Sequence, residues 1–446
     1  MEEVKRKYGL MTTIAMVVGI VVGSGIFFKA DDILILTDGN VAIGCLVLII
    51  GAVGIIFGGI TIAEWAKITD DAGGLISYGE KAFGKHFAFL IGWFQMVVYY
   101  PALTAVICWV GANYTLQLFS NVTFLQNSIW GVSIFYMVAL YLINTLAPKL
   151  GGYLQTSTTF IKMIPLLCIA FLGVIFGDSS SLQVSSITGA GIVAGSSAIV
   201  AAAFSYDGWS IAPSICHEIK NAKKNLPLAL TIAPLIILVM YLLYFLGINF
   251  LLGPEQILEL EDLAFEAASN KLFGTGAAKL LLTGVVISVL GTCNGIILGS
   301  CRVPHALAIR KELPKYEKIS EVHTRFNVSL RSHFISFCLS CVWLFIHYLS
   351  IESSIFANLQ LDVSGLPIVI MYIFYFLLFV GVILYARKGN IKSRFFGFVS
   401  PTLACIGAII VIYGGLSSQN GKMYLLISCI VLVSGYCMLK LMESKK

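Results

Sequence analysis

Twelve apolar stretches, each long enough to cross a lipid bilayer as a helix, follow one another along this 446-residue chain with short polar interruptions. A crossing helix needs about 20 residues. The stretches run over about 9–37, 42–66, 87–118, 129–146, 151–176, 188–217, 228–251, 277–301, 329–349, 363–386, 397–415 and 422–441. Only 12% of the residues are charged, about half the share usual in a soluble protein. The expectation is an all-α polytopic membrane protein with twelve transmembrane helices and a single membrane transport domain over 1–446. The basic start MEEVKRKYG leads into a span too long for a signal-peptide core and without a small-residue cleavage pattern, so the first span is expected to be retained.

Lys and Arg collect in cytoplasmic loops. With the N-terminus taken as inside, 24 of the 29 basic residues fall on that side, among them Lys220, Lys223, Lys224 and a set of seven from Arg302 to Arg331. Opposite loops are sparse or acidic, as at Glu255, Glu259, Glu261, Asp262 and Glu266. Both termini are therefore expected in the cytoplasm and the protein in the cell membrane among lipid, and the net charge of +6 reflects topology rather than nucleic-acid binding. Cysteines and histidines show no metal-type spacing; Cys338 and Cys341, three apart on one helix, read as small buried residues. No metal, cofactor or enzymatic activity is expected, since no His/Cys/Asp cluster assembles a catalytic site. Two stretches outside the spans, Asp70–Gly84 with its amphipathic LISYGEKAF and the acidic 255–271, read as short interfacial helices.

Two interruptions matter most. The first span contains IVVGSGIF, with Gly23 and Gly25 flanking Ser24, and the sixth contains FSYDGW at 204–209, with Asp207 before Gly208. Each opens a block of five spans, and because five is odd the second block must lie inverted relative to the first. The repeats are expected at about 9–176 and 188–386, with two extra helices over about 397–441. Interrupted apolar segments at matching places in two halves point to a transporter's binding site, whereas a single GxG is more often helix packing.

Breaking the first span at Gly23-Ser24-Gly25 frees backbone N–H groups at the start of its second half and carbonyls at the end of its first, with helix dipoles adding to each. The positive end suits a carboxylate, with the Ser24 hydroxyl beside it. Glycine at 23 and 25 leaves room for a close approach. The carbonyls of Val21 and Val22, with those of Phe204, Ser205 and Asp207, suit an ammonium. Asp207 is equally suited to capping the restart of the sixth span at Gly208. Lys162, deep inside TSTTFIKMIPLLCIAF, is costly at mid-membrane and calls for a partner, with snorkelling as the alternative.

The sequence resembles the amino acid–polyamine–organocation superfamily, in particular its L-type amino acid transporter branch with the bacterial serine/threonine and alanine/serine/cysteine exchangers. The matching words are IVVGSGIF, GGITIAEWAKITDDAGGLISYGEKAFG, GGYLQTSTTFIKMIPL, AAFSYDGWS with EIKNAKKNLPLAL, and GTCNGIILGSCRVPHALAIRKELP, in order from about 10 to 315. The resemblance implies a five-plus-five inverted-repeat fold with helices 1 and 6 unwound. It also implies sodium-independent exchange of small neutral L-amino acids by alternating access. Phe204 matches an aromatic that closes over substrate; Ser210 and Asn294 border the substrate or, for Asn294, tie helices together. Lys162 would stand where sodium-coupled relatives hold a sodium ion. Tyr244 would bond the unwound part of the first span, bond the substrate carboxylate, or simply pack. One family feature is missing: FSNVTFLQNS, between the third and fourth spans, has no cysteine, so no disulfide-linked heavy subunit is expected. Two rival readings stand beside exchange: a cationic amino acid or polyamine carrier, disfavoured by a third span with no acidic residue, and a proton-coupled symporter using Lys162.

Overall fold

The computed structural model describes residues 9–69, 73–119, 128–179, 198–210, 219–353 and 362–444, which are almost entirely helical. The first span is two helices, α1 (Leu10–Val21) and α2 (Ser24–Leu36), parted at Val22 and Gly23. After it come α3 (Val41–Ile68), the short α4 (Leu75–Phe83) and α5 (Lys85–Leu118). The Asn40 side chain accepts the Ile43 N–H at 3.1 Å and so starts α3. Helix α5 carries a π-helical turn at Gln95–Tyr99, and such turns often mark functional sites. Next are α6 (Ile129–Leu146), then α7 (Pro148–Ile161) and α8 (Met163–Phe176), which meet at Lys162.

The chain then forms α9, described over 198–205, ending in a turn at 206–208 and one further helical turn at 209–210. It continues with α10 (Ala222–Leu252), α11 (Pro254–Leu260) and α12 (Ala264–Ile309), which bends at Gly274. After these come α13 (Tyr316–Ser320), α14 (Leu330–Glu352) and α15 (Gly365–Arg387). Two more helices, α16 (Phe395–Ser417) and α17 (Gly421–Glu443), complete the chain. Eleven candidate spans are long and apolar enough to cross a membrane among the described residues; the flanks of the expected sixth lie outside those residues, as do the basic N-terminal residues and the 120–127 loop.

Burial separates centre from rim. In the most apolar 18-residue stretch of Lys85–Leu118, 83% is buried, against 28% in the corresponding stretches of Ile129–Leu146, Leu330–Glu352 and Gly421–Glu443, helices that carry exposed Phe135, Phe334, Phe345 and Ile430. Apolar side chains turned outward are what a lipid-facing surface requires. Cys338 and Cys341 lie on that outer surface of α14, exposed, rather than buried as expected; a lipid-facing helix accepts small apolar residues on its outer side as readily as on its inner one. The interfacial helices form as α4 and as α11 with the turn Glu261–Leu263, but the remainder of the acidic stretch joins α12.

Candidate functional site: two helix breaks face to face

The breaks in the first and sixth spans lie against each other at the centre of the bundle. The Ser205 Oγ donates to the Gly25 carbonyl at 3.1 Å and to the Ala201 carbonyl at 3.0 Å. A Cβ on Gly25 would stand 2.5 Å from the Ser205 Cα, and one on Gly23 would stand 1.8 Å from the Thr292 Oγ1. The glycines thus let the unwound segment seat directly on α9 and α12. Gly208, at φ +101°, turns the chain out of α9 in a conformation that side chains disfavour.

A break is tolerable in a membrane only if its freed carbonyls find donors. At the end of α1, Val18 accepts from the Val22 N–H at 2.8 Å, Gly19 accepts from the Lys162 ammonium, and Val21 accepts from the Tyr241 hydroxyl at 3.1 Å. At the end of α9, Ala202 accepts from the Tyr206 N–H at 3.1 Å, Phe204 from the Asp207 N–H at 3.0 Å, and Ser205 from the same Tyr241 hydroxyl at 2.9 Å. One hydroxyl carries one proton, so Val21 and Ser205 share it and both keep accepting capacity. The N-cap of α2, Gly23, offers no side-chain hydrogen bond, so the first N–H groups of α2 carry the positive end of the helix dipole without a capping side chain at that position.

The expected site residues divide by position. Val21, Val22, Gly23, Gly25, Phe204, Ser205 and Asp207 lie on the two breaks; the Ser24 side chain is outside the described residues. Asp207 accepts from the Tyr99 hydroxyl at 2.6 Å, so the π-helical turn of α5 is fastened to the sixth-span break. Phe204 carries the Lys29 ammonium over its ring, 5.7 Å from the centroid. Ser210 is buried on the short turn after Gly208. Lys162 is fully buried, which rules out snorkelling, and its ammonium reaches the Gly19 carbonyl and the Thr292 hydroxyl, the latter at 3.4 Å. Asn294 takes the tying alternative: its Nδ2 donates to the Gly151 carbonyl at 3.0 Å and Gln155 Oε1 at 3.3 Å, and its Oδ1 accepts from Asn144 at 2.8 Å, joining α6, α7 and α12. Tyr244 packs edge-on against Phe27 of the first turn of α2, with ring centroids 5.5 Å apart. The hydroxyl at the break belongs to Tyr241, one turn away. Sequence reasoning missed Tyr241, Thr292 and Tyr99; a second tyrosine three residues before Tyr244 on an apolar helix, and a threonine inside GTCNG, were the available signals.

A multi-pass helical bundle whose first and sixth spans break face to face, with capped carbonyls and an uncapped helix N-terminus, is the architecture of a secondary transporter. The amino acid permease family model matches residues 8–433, and the chain belongs to that family. It is 30% identical over 412 residues to the serine/threonine exchanger SteT of Bacillus subtilis, covering 92% of this chain and 90% of that one. It is 27% identical to the human cystine/glutamate transporter, over 77% of this chain and 68% of that protein, and 27% identical to the mouse b(0,+)-type amino acid transporter 1, over 65% and 60%. Among solved structures, the fold is shared with a manganese transporter mutant from Eremococcus coleocola at a TM-score of 0.58 and 14% identity, covering 97% of this chain and 94% of that one. The five-plus-five inverted-repeat fold with two added helices follows.

Proposed function

We propose that this permease exchanges small neutral L-amino acids, of the alanine, serine, cysteine and threonine type, across the cell membrane by sodium-independent alternating access, with no chemical change to its substrate. The observation that carries the reading is the opposed pair of breaks: uncapped N–H groups of α2 for a carboxylate, and half-used carbonyls of Val21 and Ser205 for an ammonium. Main-chain recognition of the amino acid leaves its side chain to be selected by Phe204 and the surrounding wall. The similarity to a serine/threonine exchanger over nearly the whole chain supports that substrate class. No acidic residue occurs in the third span, which disfavours a cationic cargo.

In this reading the Lys162 side chain holds α1 against α12 through the Gly19 carbonyl and the Thr292 hydroxyl, where a sodium-coupled carrier would use an ion. Both termini face the cytoplasm, by the distribution of Lys and Arg. The protein works without a disulfide-linked heavy subunit. Competition against labelled serine in proteoliposomes tests the substrate class. Alanine, threonine and cysteine should displace serine, and arginine and tryptophan should not. Arginine competing as well as alanine would overturn the neutral-substrate reading.

A further inference from the structure

Beyond the two breaks, α2 borders a narrow, partly open cleft. Phe27 and Asp31 of α2, Tyr244 of α10, Glu261 and Asp262 of the turn before α12, and Phe265 of α12 line it. Asp31 is only 7% exposed, and its Oδ1 has no hydrogen-bond partner among the described residues. Leaving a carboxylate oxygen unmet in a buried place is unfavourable. The neighbouring charges are already engaged: Asp32 holds Lys29 at 2.6 Å, and the Asp262 Oδ2 accepts from Asn113 at 2.7 Å. The aromatic side of the cleft is built edge-on, with Phe27 against both Tyr244 and Phe265 at 5.5 Å.

We propose that this cleft binds a primary ammonium group, with Asp31 Oδ1 accepting one N–H and the aromatic rings taking the adjacent methyl or methylene. Three acidic side chains, Asp31, Glu261 and Asp262, line the cleft among the described residues with no lysine or arginine beside them in that lining, and ring faces attract cations. A metal ion fits less well, because among the described residues no three His, Cys, Asp or Glu side chains converge to hold one. The site is separate from the paired breaks. Asp31 lies six residues beyond Gly25, about 9 Å along the helix. The ammonium has two possible sources, the amino group of an amino acid on its way to the breaks and a free amine.

The test is thermal unfolding of the purified full chain in detergent, titrated with methylammonium chloride against matched sodium chloride. Methylammonium should raise the melting temperature beyond the sodium control. Asp31→Asn should weaken that response about tenfold, as expected for a lost charge-assisted bond. Asp262→Asn, which leaves Asp31 in place, should weaken it less and keeps the test alive if Asp31→Asn does not fold. Serine exchange by Asp31→Asn then separates the sources: a raised external KM at unchanged maximal rate assigns the site to the amino acid in transit, and an unchanged KM assigns it to a free amine. Equal shifts in methylammonium and sodium, or an undiminished methylammonium shift in both variants, would overturn the proposal.

Discussion

Replacing Tyr241 with phenylalanine removes one oxygen and leaves the ring on Tyr206, whose centroid is 5.0 Å away. The lost hydroxyl is the shared donor to Val21 and Ser205, one carbonyl on each break, at 3.1 and 2.9 Å. A net hydrogen bond is worth about 0.5–1.5 kcal/mol and a buried acceptor left unmet costs about 1–3 kcal/mol. Because one proton serves two acceptors, only one full bond is lost, and the expected penalty is about 2 kcal/mol, or about thirtyfold in an equilibrium. That penalty falls on the state in which the two breaks are held together. Tyr241→Phe should therefore exchange serine much more slowly, with the ratio of rates measured from the two faces altered, while its affinity falls less. Tyr244→Phe, whose ring packs on Phe27, should stay within about 0.5 kcal/mol of the parent in stability. Both are read by tracer exchange in oriented proteoliposomes and by thermal unfolding. A Tyr241→Phe protein that matches the parent in rate from both faces and in melting temperature would refute the bridging role.

The two glycines of the first break should respond differently. Gly25→Ala meets the backbone of Ser205 and should abolish exchange in an inserted protein, whereas Gly23→Ala meets the Thr292 side chain and should be partly restored by Thr292→Ala; equal damage without restoration would count against this packing. Lys162→Ala leaves the Gly19 carbonyl unmet, at a cost of about 1–3 kcal/mol, so switching between faces should slow and added sodium should not restore it; parental rates from both faces would remove Lys162 from the mechanism. Asp362 precedes α15, outside the span. Burial alone would raise its pKa, but Lys29 and hydrogen bonds from Ser364, whose hydroxyl lies 2.5 Å away, hold it below the ordinary carboxylate range. A depressed folded value means that its stabilisation is present above the unfolded value, about 3.9, and is lost as pH falls through the folded one. Asp362→Asn should therefore flatten the acid side of the stability curve, and parallel curves for the two proteins would contradict this.

The spans and the two breaks were legible because hydrophobic length and interrupting glycines are local features that a bilayer forces into view. Lys162 was legible for the same reason: a buried ammonium in an apolar run demands a partner, and the partner proved to be the carbonyl of Gly19. Individual side-chain roles were harder to read. Tyr241 and Tyr244 differ by one helical turn, and only the packing of α10 against both breaks decides which hydroxyl reaches them. Asn294 is six residues from Ser288 and two from Thr292, the parts of α12 that meet the first break, yet it faces α6 and α7, a direction set by helix rotation. The glycines were read as room for a ligand, but the close approach that they permit in this structure is that of helix to helix, which depends on the crossing of elements some 180 residues apart.

The most direct test of the central claim is counterflow. Proteoliposomes loaded with unlabelled serine, and matched empty ones, are given labelled serine outside in sodium or in choline medium. Rapid accumulation is expected only in the loaded vesicles, equal in the two media and unaffected by an imposed proton gradient. Equal accumulation in empty vesicles, or a requirement for a sodium or proton gradient, would contradict exchange between the two opposed breaks.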